Sequence, residues 1–157
     1  MNGYIYCGWI HTWVGKLSGE KFKKAFYKKG DRNLGYLGYN ENVEQDHKGF
    51  RGEWKVRMKN GRPRQLGYYR ASLVKDEPYQ KLFKPYMHTA LVDYNISENT
   101  GFINRMSKMI RDFIVTPNEG DHSLLLSKAF FQFAPWLTIW HSFFILGKRQ
   151  EIEFKPW

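Results

Sequence analysis

The residues most able to do chemistry at neutral pH are five histidines and one cysteine, and none of them falls into a pattern that makes a site. His11, His47, His88, His122 and His141 are widely separated, with neither an HExxH spacing nor a CxxC pair to complete a zinc set. Cys7 and His11 stand four apart in a ring-rich stretch, and Asp46 and His47 are adjacent in a polar one. Two donors in either place fall short of a ligand set. A phosphate-cradling GxxxxGK[ST], a GxGxxG before a helix and a GxSxG elbow are also missing from the sequence. The residues therefore predict a non-enzyme with no catalytic, cofactor-binding or metal-ligating set; an enzyme whose site is assembled from scattered residues is the alternative only coordinates can reveal. His141 differs from the other four because it lies inside an uncharged run, where an ionisable group would mark a functional or helix-packing position.

Charge offers a second kind of chemistry. The chain carries 25 Lys and Arg against 15 Asp and Glu, a net charge of +10, which points to an anionic partner. The cations concentrate around a predicted hairpin. Phe50, Trp54, Val56 and Met58 alternate with Arg51, Glu53, Lys55, Arg57 and Lys59, the period of a half-buried strand. Asn60-Gly61 then supplies the positive φ angles of a type I′ turn, and a second strand is expected from Gln65 to Val74. Lys55, Arg57, Lys59, Arg62, Arg64 and Arg70, with Arg105 and Lys108 further on, are the candidate contacts to anionic lipid headgroups or to an acidic partner surface. The same cations beside Tyr68 and Tyr69 could instead grip nucleic acid.

The elements that would position these residues are dominated by Ala129 to Leu146, AFFQFAPWLTIWHSFFIL, 18 residues without a charge. As a helix it would be about 27 Å long, close to the roughly 30 Å of a bilayer's hydrocarbon core. It predicts a transmembrane helix over 123–147, in which Gln132, Pro135, Trp136, Trp140 and His141 pack on neighbouring helices. A buried core helix is the alternative. Before it, Phe102, Ile103, Met106, Met109, Ile110, Phe113 and Ile114 form one stripe over 100–116, an amphipathic helix suited to the headgroup plane or to a core. Pro117 ends it.

The N-terminal region, 1–99, reads as peripheral, basic and aromatic-rich. Tyr4 to Leu17 reads as extended or irregular. Ser18 and Gly30 bracket EKFKKAFYKK as a short lysine helix, residues 30 to 49 read as loop, and Asp76, Glu77 and Pro78 open another helix that Pro85 breaks. A polar tail, 148–157, closes the chain. The expected class is α+β: a small N-terminal region with a β-hairpin and short helices, an amphipathic helix, then one C-terminal transmembrane helix.

One unpaired cysteine points to a reducing compartment, and the start MNGYIYCGWIHTW has no signal-peptide or transit-peptide character. Together these features lead to the expectation of a non-catalytic, single-pass accessory subunit of a membrane complex, with the mitochondrial inner membrane and its respiratory complexes or ATP synthase as the setting. Its partners would be the other subunits and anionic lipid. The alternative is a soluble RNA-binding or ribosome-associated basic protein.

Overall fold

Residues 129–146 are two strands, not one helix. In the computed structural model, which describes residues 2–28 and 35–153, Leu125–Ala134 pairs antiparallel with Leu137–Glu153 across a turn at Pro135 and Trp136. An apolar run of 18 residues fits two strands as well as one long helix, because strands with apolar residues on both faces show no alternation. Pro135, which would have broken the helix, sits in the turn.

In chain order the strands are Asn2–Ile10 (β1), Lys21–Tyr27 (β2), Tyr36–Asn42 (β3), Met58–Lys59 (β4), Arg62–Pro63 (β5), Gln65–Leu73 (β6), Ala90–Asp93 (β7), Ile110–Val115 (β8), Leu125–Ala134 (β9) and Leu137–Glu153 (β10). Helices are short: Trp13–Ser18 (α1) and Gly101–Ser107 (α2). Eight strands close into a barrel in the order β1-β10-β9-β8-β7-β6-β3-β2, every pair antiparallel. Each strand thus pairs with the next barrel strand in the chain, and β10 returns to β1: an up-and-down barrel, which leaves no sheet edge open. β4 and β5 form a separate two-stranded ribbon in the connection from β3 to β6. Its turn carries Asn60 at φ 53° and Gly61 at φ 74°, the two positive angles expected of Asn-Gly.

Several expectations are corrected here. The α+β class with a C-terminal helix gives way to a closed antiparallel barrel. No helix among the described residues is long and apolar enough to cross a membrane, so the transmembrane helix, and the single-pass inner-membrane location argued from it, are withdrawn. The stripe over 100–116 divides into the seven-residue α2 and strand β8, where Ile110, Asp112 and Ile114 share one face and Arg111 and Phe113 the other. The lysine helix is strand β2; its expected stop at Gly30 lies outside the described residues. The helix after Asp76 is a pair of 3-10 turns, Val74–Asp76 and Lys81–Tyr86, the second containing Pro85. The first hairpin strand is strand only at Met58–Lys59, preceded by a 3-10 turn at Gly49–Arg51. Residues 36–42, expected as loop, are β3.

The alternation along each strand divides its residues between lumen and outside. Tyr6, Tyr69, Ala71, Val92, Ile114, Leu125 and Leu146 pack together in the lumen, and the Tyr6 hydroxyl donates to the His122 carbonyl in the loop from β8 to β9, closing that end. Two smaller clusters lie outside the wall. Val74, Phe83, Leu91, Phe113 and Phe130 pack beneath the connection from β6 to β7, and Ile5, Ala25 and Tyr39 pack on the opposite flank. Gly38 of β3 has to be glycine: a Cβ there would stand 2.1 Å from the Ala25 carbonyl oxygen and 2.3 Å from the Tyr69 ring.

A polar floor in the barrel lumen

Lys24 lies between Phe22 and Phe26 on the lumen face of β2, so the strand's own period carries a cation into an aromatic interior. Its side chain has no solvent exposure. The Nζ donates to Asp112 Oδ2 on β8 at 3.1 Å, to Asn40 Oδ1 on β3 at 3.4 Å and to the Tyr94 hydroxyl just after β7. Three acceptors match the three N–H bonds of an ammonium. The Tyr94 hydroxyl donates in turn to Asp112 Oδ2 at 3.1 Å and accepts from Asn40 Nδ2 at 3.2 Å. Aromatic faces complete the enclosure, with Nζ 4.4 Å from the Tyr69 ring centre, 4.8 Å from Tyr94 and 5.6 Å from Phe144. Burial pulls the Lys24 ammonium down from its ordinary value, while the charge and hydrogen bond of Asp112 oppose that pull. Burial, followed by the Asp112 charge, holds the Tyr94 phenol well above the ordinary range.

Above this floor the lumen is open. A cavity of about 340 Å³ extends from Lys24, Asp112, Asn40 and Tyr94 past Phe22, Phe144, Ala129 and Ile110 toward the end where β1, β3, β7 and β9 finish. That size lies at the lower end of the range for small-molecule pockets, and the lining is of the usual kind, an apolar wall with a few convergent polar groups. Eight strands give an interior that side chains can just fill or that can hold one small ligand. Here the half nearer the β8 to β9 loop is filled and the other half is not. His141 and Ser142 bring further polar atoms to the wall. They sit where β10 slips register against β9, between Trp140 and Ser142, a bulge that lets His141 line the cavity. His141 Nδ1 is 2.7 Å from the Ser142 hydroxyl and the ring packs on Phe131, with centres 4.5 Å apart. Burial lowers the His141 pKa below its ordinary 6.5.

Arg57 lines the mouth. Among the described residues it makes no ion pair, whereas Lys21, a buried residue that also lines this end, is paired with Asp46 at 2.8 Å, donates to the Glu53 carbonyl and lies against the Trp54 ring. No three of His, Cys, Asp and Glu come together among the described residues, and the cavity offers no metal-ligand set.

The comparisons add no relative. No family model, curated protein or solved structure matches the chain.

The residues singled out from sequence separate into groups. Arg57, Lys59, Arg62 and Arg64, on or beside the β4–β5 ribbon, and Arg105 and Lys108, on or beside α2, all lie on connections that leave the mouth end of the barrel. Lys55 is exposed and paired with Glu44 at 3.1 Å. Arg70 stands apart on the outer wall, held by Glu77 at 2.8 Å and Asp93 at 3.6 Å. Of the five residues assigned to helix packing, only His141 reaches the lumen. Gln132 bonds across to Gln80 at 2.7 Å, Trp140 lies against Phe143 with ring centres 5.5 Å apart, and Trp136 projects from the turn after Pro135. Lys24, Asn40, Tyr94, Asp112 and Ser142 were missed. The available signal was a charged residue in the apolar phase of a strand, Lys24 between Phe22 and Phe26 and Asp112 between Ile110 and Ile114, which shows only once those segments are read as strands.

Proposed function

We propose that this protein binds, without transforming it, a small amphipathic organic molecule whose apolar body enters the open half of the barrel and whose acidic group stays at the mouth near Arg57. The observation that carries this reading is the unfilled part of the lumen. A barrel of eight strands can be packed solid, yet this one keeps a cavity of about 340 Å³ between an aromatic wall and a polar floor. Phe22, Phe144 and Ile110 offer the apolar surface. Floor charges compensate each other as the Lys24–Asp112 pair, so the inner end favours uncharged hydrogen-bonding or apolar groups, while the guanidinium of Arg57 favours an anion. Holding and release suffice for such a role, in keeping with the expectation of a protein that acts by binding. The accessory-subunit expectation was argued from a membrane span; the barrel supplies a different argument, from its own interior.

Calorimetric titration with octanoate, decanoate and dodecanoate, beside the matching alcohols and amines, tests the reading. Carboxylates are expected to bind, the alcohols more weakly and the amines least, with a chain length beyond which affinity stops rising because the lumen is full. Ile110→Trp, which narrows the mouth, should weaken every member. Binding that is indifferent to the head group and to Ile110→Trp, or no binding by any member, would overturn it.

A further inference from the structure

The mouth of the barrel is surrounded by side chains that belong in an apolar setting. Strand direction places four connections at this end: residues 11–20 with α1, 43–64 with the β4–β5 ribbon, 94–109 with α2, and the turn at 135–136. Among the described large hydrophobic side chains, four of the five most exposed lie on them: Phe102 and Trp136 at 82%, Leu17 at 80% and Trp13 at 66%. Scattered exposed hydrophobics are ordinary, but a set drawn from three separate connections and gathered at one end is not. Met58, on the ribbon, and Met106, on α2, extend it at 59% and 49%.

Charge identifies the occupant. The four connections carry ten Lys and Arg against five Asp and Glu, a net +5, whereas the two fully described connections at the opposite end, 74–89 and 116–124, come to −1. Half of the chain's +10 is therefore carried by the connections that hold these side chains. Trp, Phe and Leu beside Lys and Arg are the pairing that anchors a protein in the interface of an anionic bilayer, where rings settle at headgroup depth and each nearby cation adds electrostatic attraction. We infer that the barrel docks mouth-down on an anionic lipid surface, inserting Trp136, Phe102 and the exposed face of α1 to the depth of the headgroups. Contact of this kind is peripheral and needs no spanning segment. It rests on the rim alone and does not require that the cavity be occupied.

Flotation of the whole protein with vesicles of phosphatidylcholine, alone or mixed with phosphatidylserine, tests the inference. Binding to the mixed vesicles that weakens as salt rises is expected, with far less on phosphatidylcholine alone. Phe102→Ser and Trp136→Ser remove side chains the fold leaves exposed, and each should weaken vesicle binding about tenfold. Ile110→Trp should leave docking unchanged while blocking the lumen, which separates this inference from the ligand reading. Equal binding to both vesicle types, no binding to either, or serine variants that float like the parent would overturn it. So would a mass in solution of two copies that the serine variants reduce to one, since the rim would then be a dimer interface.

Discussion

Replacing Asp112 by Asn should be among the most damaging single changes that preserve side-chain size. The substitution leaves the Lys24 ammonium at the centre of the barrel with neutral acceptors only, Asn40 Oδ1 and the Tyr94 hydroxyl, and no counter-charge. Both partners of the pair are essentially dry, with side-chain exposures of 0% and 3%, so water cannot take over the role. Breaking a buried pair from one side costs about 3 to 5 kcal/mol. Against a usual stability of about 5 to 15 kcal/mol, that is a large fraction of the total. For a chain of this size, at roughly 2 to 4 °C per kcal/mol, the melting temperature should fall by about 6 to 20 °C. Urea denaturation and thermal melting of Lys24→Met, Asp112→Leu and the double variant Lys24→Met/Asp112→Leu form, with the parent, a cycle that isolates the coupling, and Asp112→Asn is measured beside them. The double variant should recover most of the loss, because a pair replaced together by apolar groups leaves no unpaired charge. An Asp112→Asn protein melting within about 2 °C of the parent would refute the reasoning, as would a double variant no more stable than the single.

His141 provides a pH test. Its folded pKa lies below the unfolded 6.5, so between those values the unfolded chain holds a proton that the folded chain does not. The stability attached to keeping it neutral is therefore complete above pH 6.5, declines as pH falls toward the folded pKa, and is constant below; in His141→Gln the component disappears, which the difference between the two proteins' stability curves will show. At Gly38, alanine puts a Cβ 2.1 Å from the Ala25 carbonyl oxygen and 2.3 Å from the Tyr69 ring, so β2 and β3 must part or the ring must move. Overpacking of that kind costs about 1 to 3 kcal/mol, measured by urea denaturation, and Gly61→Ala in the exposed ribbon turn, where no atom lies within 4 Å, tests strain at positive φ without a clash.

Local chemistry was legible in the sequence where it was self-contained. The Asn60-Gly61 turn and the strand from Gln65 were read directly, since two residues fix such a turn and the apolar phase of β6 is regular. The barrel was not legible, because closure depends on β1 meeting β10 across most of the chain, and no local pattern reports a pairing of that range. Segments with rings or aliphatic residues on both faces misled the reading most. Ala129–Leu146 has lumen residues such as Phe144 and wall residues such as Phe143 and Trp140, and the stripe from Phe102 to Ile114 matches a helix as far as Ser107 before passing into β8. The same error hid the site. Read as a helix, Lys24 belongs to a solvated lysine face; read as a strand, it points at Asp112.

The central claim is that the open half of the lumen takes up a ligand, and the most direct measurement is a map of where one binds. In a titration of isotope-labelled protein with dodecanoate followed by nuclear magnetic resonance, the largest shifts should fall on Phe22, Ile110, Ala129, Ser142 and Phe144, with Arg57 responding at the mouth, and should vanish in Ile110→Trp. Shifts confined to the outer wall, around Tyr86 and Phe143 or around Tyr27 and Tyr68, or none at saturating ligand, would contradict the account.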